Sequence, residues 1–156
     1  MTLYAIRSSP GVELLEDAEV VGESKYGWDF LEQAITLWKL VDPARANQIE
    51  AVMDRCASSP ADGRPRFEEE HLHELIRLLS GVEDAIVTAG IVEPKNWRVP
   101  PERLEELARR VPAMDLKTER PLVNKTSALS EVISNAISVR KFLEHAANGD
   151  CIVVVA

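Results

Sequence analysis

The sequence predicts a mainly helical α+β domain, with about five helices packed around a central helix at 28–41 and a small sheet containing the N-terminal and C-terminal strands. Three observations predict it. Apolar side chains recur at helical spacing over several long stretches, and both ends of the chain carry strand patterns. A chain of 156 residues that is 46% apolar is also long enough to bury one core as a single domain over 1–156, without metals or disulfides.

Thr2 to Arg7 sets Leu3 and Ala5 against Tyr4 and Arg7, which suits a short strand closed by the turn-forming Ser8-Ser9-Pro10-Gly11. Residues 12–23 mix Val12, Leu14, Leu15, Val20 and Val21 with acids, and fit either a short helix or a strand followed by a second strand around Glu19 to Gly22. Both readings expose an acidic face. From Trp28 to Val41, two overlapping apolar faces (Trp28, Leu31, Ile35, Trp38 and Phe30, Ala34, Leu37, Val41) predict a helix buried on most sides. Asp42-Pro43 supplies an N-cap and a first-turn proline for the next helix, whose Ile49, Val52, Met53 and Cys56 share a face.

Ser58 to Pro65 has the composition of an exposed loop. A long helix is predicted from about Phe67 and Glu68 through Ile86, with acids in its first turn and Gly81 as a break or bend. Pro101 opens a short helix that Pro112 ends, and Ala113 to Lys125 reads as irregular. Ser127 to Ala147 forms a last amphipathic helix, for which Asn148-Gly149 offers a left-handed cap. Cys151 to Val155 is continuously apolar and β-branched, as in a strand covered on both sides, so a bulky C-terminal fusion is expected to strain the fold.

Charge is segregated along the chain. Five acids and no base fall between positions 13 and 23 (Glu13, Glu16, Asp17, Glu19, Glu23), whereas positions 95 to 125 hold eight Lys or Arg against five Asp or Glu. A net charge of −8 repels nucleic-acid phosphates and anionic membrane surfaces, which points away from both as partners and toward a basic protein. The N-terminus lacks a secretory pattern and no apolar run reaches membrane-spanning length, so a soluble cytoplasmic protein with two free cysteines is expected.

Motifs for chemistry are sparse. His71 and His73 are two apart on a predicted helix and therefore diverge, whereas a zinc helix presents ligands at i and i+4. No metal site is expected from them, and they read as solvated first-turn residues. His145 stands within reach of Glu144, Glu131 or Cys151, yet a histidine in a last turn also suits the helix dipole. Neither Cys56 nor Cys151 has the small-residue helix-start context that stabilises a thiolate. The seven glycines are dispersed and cradle no phosphate, so no cofactor is expected.

Ser127, Ser130, Ser134 and Ser138 form a small polar stripe, read as a solvent face or a close-packing surface. Trp97, between Lys95-Asn96 and Arg98, is either a cap on the core or an anchor for a partner.

These features fit a non-catalytic acidic interaction module better than an enzyme. The expected partner-binding residues are Glu13, Glu16, Asp17, Glu19, Glu23 and Trp97, and the expected partner is a basic protein, for example a toxin neutralised by an immunity or antitoxin protein. The alternatives are a small-molecule binder or small enzyme with a site invisible in sequence. Self-association is a further alternative, with the basic stretch of one copy meeting the acidic stretch of another.

Overall fold

The computed structural model describes residues 1–7, 17–58, 63–94, 97–110, 114–115 and 127–156. The chain is α+β and mainly helical. The principal sheet has five strands in the order β2-β1-β7-β4-β3, with every neighbouring pair antiparallel. Its strands are β1 (Leu3–Arg7), β2 (Val20–Ser24), β3 (Ala57–Ser58), β4 (Pro65–Phe67) and β7 (Cys151–Val155). A minor parallel pair joins β5 (Met114–Asp115) to β6 (Ser127–Ala128). The helices are α1 (Gly27–Val41), α2 (Pro43–Asp54), α3 (Glu69–Leu79), α4 (Val82–Thr88), α5 (Leu104–Arg110, after a 3-10 turn at Pro101–Arg103) and α6 (Leu129–Asn148).

The C-terminal strand occupies the centre of the sheet. β7 pairs with β1 from Leu3↔Val155 to Arg7↔Cys151, and with β4 through Arg66↔Val154 and Phe67↔Val153. Leu3, Ala5, Phe67, Val153 and Val155 face the helices and belong to one connected cluster of buried side chains that also takes in α1, α2, α3 and α6. Helix α1 is its hub, packing on α6, α2 and α4 and burying Leu31, Ala34, Ile35, Leu37, Trp38 and Leu40. Gly27 opens α1 where a Cβ would lie 2.6 Å from Leu3 Cγ, so a side chain here would collide with the sheet.

Several local expectations need revision. The stretch read as a loop between Ser58 and Pro65 falls largely on 59–62, outside the described residues; Ser58 and Pro65 themselves belong to strands β3 and β4, and Phe67 ends a strand instead of starting a helix. It is completely buried, with its ring stacked on Trp28 at 6.2 Å. The long helical pattern divides at Gly81 (φ 85°) into α3 and α4. After α6 the left-handed residue is Asp150 (φ 53°), one position beyond Gly149.

His71 is not simply solvated. Its Nδ1 accepts the Glu68 backbone N–H at 3.2 Å while the Glu68 side chain accepts from the His71 backbone, a reciprocal cap on α3. Asp42 caps α2 as expected, accepting the Arg45 N–H at 3.2 Å.

Arginines close several helix C-termini, where carbonyls lack intrahelical donors. Arg110 donates to Leu40 O at the end of α1 (2.9 Å), Arg103 to Ala89 O after α4 (2.7 Å), and Arg55 to Ala51 O within α2 (3.1 Å). Arg140 on α6 reaches Glu83 on α4 at 2.9 Å in a half-buried ion pair. Among the described residues no helix is long and apolar enough to cross a membrane.

Candidate functional site

Strand β2 forms because Val20-Val21 is β-branched and because β1 offers it a ladder. Among the described residues it has no neighbour on its other side, so it is a sheet edge. The phase of its hydrogen bonds follows from β1. Thr2 exchanges both backbone bonds with Ala156 (2.8 and 3.0 Å), so Thr2, Tyr4 and Ile6 turn their backbone groups to β7, while Leu3, Ala5 and Arg7 turn theirs to β2. Arg7 accordingly donates its N–H to Glu19 O at 3.1 Å. Gly22 and Ser24 are then the residues bonded to β1, and Glu23 directs its N–H and C=O outward.

Side chains alternate in the other direction. Gly22 and Ser24, opposite Ala5 and Leu3, lie on the helix side; Glu23, opposite Tyr4, lies on the far face. The register slips between Ala5 and Ile6, which places both Val20 and Val21 near this point and leaves them 48% and 43% exposed. Met1 and Tyr26 are the other large apolar side chains exposed among the described residues, and both flank the Ser24 end of the strand. Asp17, Glu19 and Glu23 are exposed around the valines, and among the described residues the Arg7 guanidinium approaches Glu19, at 3.8 Å.

A cleft of about 340 Å³ runs beneath the C-terminal end of α6 and reaches the sheet edge. Its floor includes Gly22 and Cys151, its walls Val21, Phe142 and His145, and Arg7 stands at its end. The missing side chain at Gly22 helps keep it open: a Cβ there would point at the Phe142 ring, 3.7 Å from Cε2. A smaller cleft of about 240 Å³ near the start of α3 is lined by Glu68, Glu69 and Asp150 with no base among its lining residues.

The structure thus brings His145 and Cys151 to one cleft, a meeting of residues that sequence spacing left open. Cys151 is a poor nucleophile there. It is buried, its thiol donates to Gly149 O at 3.5 Å, and burial pushes its pKa upward despite the opposing charge of Arg7. Burial raises the Cys56 pKa as well. Each folded thiol holds its proton more tightly than the unfolded one, so the associated stability is complete below the ordinary thiol pKa of about 8.5 and is lost as pH rises through the folded value. Native protein should react with a thiol reagent at pH 7.5 at least tenfold more slowly than protein in urea, and the denaturation midpoint should fall between pH 8 and 10. Equal native and unfolded reaction rates would overturn this.

Of the other expected site residues, Glu13 and Glu16 lie outside the described residues, as do Lys95, Lys117, Arg120 and Lys125 of the basic stretch. Trp97 is half-buried and packs against the core; its backbone is left-handed (φ 54°), with its N–H bonded to Glu93 O at 3.1 Å. It belongs to a loop separate from β2. Ser134 and Ser138 face solvent. His71 and His73 make different contacts, the first in the α3 cap and the second 3.6 Å from Glu69, and among the described residues no three His, Cys, Asp or Glu side chains converge as a metal site would require. No protein-family model, no curated protein and no solved structure matches this chain.

Proposed function

We propose that this protein is a non-catalytic acidic interaction module that binds a basic protein and occludes it, in the manner of an immunity-type or antitoxin-type inhibitor. The observation that carries this reading is the β2 edge, where two exposed valines are surrounded by exposed Asp17, Glu19 and Glu23. Apolar area supplies affinity on burial, and the carboxylates steer a cationic partner and align it. The arginines with helix-end roles, Arg103 and Arg110, are already engaged within the fold, which disfavours self-association through the basic stretch.

Both termini lie at the end of the sheet opposite the cleft, because Thr2 pairs with Ala156 and Arg7 with Cys151. Protein immobilised through an N-terminal linker should therefore capture its partner from host lysate unhindered. The expected result is one basic protein, released by high salt, whose association with the Asp17→Lys, Glu19→Lys, Glu23→Lys variant is at least tenfold slower and less salt-dependent. Association with the triple variant at the wild-type rate would remove the acidic edge from the reading.

A further inference from the structure

The direction of the β2 backbone and the position of the cleft assign a specific binding mode, which rests on the reading above. We infer that the partner contributes an extended basic segment that adds to β2 as a sixth antiparallel strand, with alternate apolar side chains entering the cleft beneath α6. Strand addition needs an edge whose backbone groups are unpaired and a pocket for every second side chain. Among the described residues β2 meets both needs: Glu23 aims its N–H and C=O away from β1, where no strand pairs with it, and the cleft reaches the edge at Val21 and Gly22.

The two faces of the added strand would meet different chemistry. On the helix side its side chains face Val21 and the Phe142 ring, in a cleft that Arg7 and Glu23 also line, and apolar groups match those two side chains. On the far side they lie next to Glu23, which favours Arg or Lys. Apolar side chains entering the cleft would displace water from it. The preferred segment therefore alternates basic and apolar residues.

A second copy of this chain is a poor occupant. It would bring a second edge carrying exposed Glu19 and Glu23 up to the first, and like charges repel. The same acids that block self-pairing select a cationic strand.

The test uses the full chain and an end-blocked heptapeptide alternating Arg and Val, followed by fluorescence anisotropy. Two derivatives carry backbone N-methyl groups on alternate residues, one along each edge of the extended peptide. One edge only should matter: methylation of the edge that meets β2 should weaken binding at least tenfold, and methylation of the other less than twofold. An alternating Glu and Val peptide should not bind. In the protein, Glu23→Pro removes an outward N–H that the β1 ladder does not use, and should weaken the Arg and Val peptide at least fivefold more than E23Q, which removes the charge alone. Equal losses from the two methylated peptides, or no binding of the parent peptide, would overturn strand addition. Because the charge-reversal experiment reads the captured protein, its outcome stands separately: lost capture with edge-indifferent peptides leaves an acidic docking surface without an added strand.

Discussion

Replacing Arg140 with alanine is expected to cost the fold about 3 kcal/mol, near the low end of the range for breaking a buried ion pair. The Arg140 and Glu83 side chains retain only 15% and 28% of their exposure, and Glu83 Oε2 is buried without a hydrogen bond. Removing the guanidinium leaves a largely buried carboxylate between α4 and α6 without the cation that balances it. Glu144, 3.5 Å from Arg140 Nε, adds a second acid to the same place. For a chain of this length the loss corresponds to a melting temperature lower by roughly 6 to 12 °C. The companion variant Glu83→Leu with Arg140→Met should recover most of it, because two apolar groups of similar size remove the desolvation problem along with the charge. A loss below about 1 kcal/mol in R140A, read by urea denaturation, would place the pair among solvated surface contacts.

That ion pair also marks a limit of sequence reading. Glu83 and Arg140 lie on different helices, and nothing local distinguishes them from the other charged residues of amphipathic faces. The helices were legible because their signal is local: the apolar positions of α1 and the Asp42-Pro43 start of α2 follow from a short window of residues. The two terminal strands were legible for the same reason. Strand β4 was not, because Pro65-Arg66-Phe67 is too short to show a period and becomes a strand only where β7 provides a ladder.

Residues 12–23 were ambiguous for a related reason. β2 has one fully local strand feature, Val20-Val21, and the rest of its definition comes from its pairing with β1. The candidate site was legible only in its charges. Asp17, Glu19 and Glu23 could be read directly, but the cleft needs α6 to end above β1, β2 and β7, and the outward direction of Glu23 depends on the Thr2 and Ala156 bonds. Trp97 attracted notice as an aromatic among cations; its packing against the core is decided by the left-handed turn that carries it.

Val153→Asp is expected to abolish the folded state, whereas Val20→Asp should cost less than about 1 kcal/mol. Both are valines in strands of the same sheet, and the difference tests its strand order. Val153 is completely buried in the central strand, between Ala5 and Phe67, where a carboxylate meets only apolar side chains. The lost valine packing and the buried charge together should exceed 5 kcal/mol, comparable with the whole stability of many domains of this size. Val20 is on the edge, 48% exposed, and an aspartate there keeps its hydration. Far-UV circular dichroism and chemical denaturation should show an unfolded V153D and a native V20D. A stable V153D would mean that β7 is not central, and the phase assigned to Glu23 through β1 would fall with it. A native V20D with impaired peptide binding would instead demonstrate that the edge is free of structural duty. Such a strand can carry the charges and exposed apolar groups that a partner requires without weakening the core beneath it.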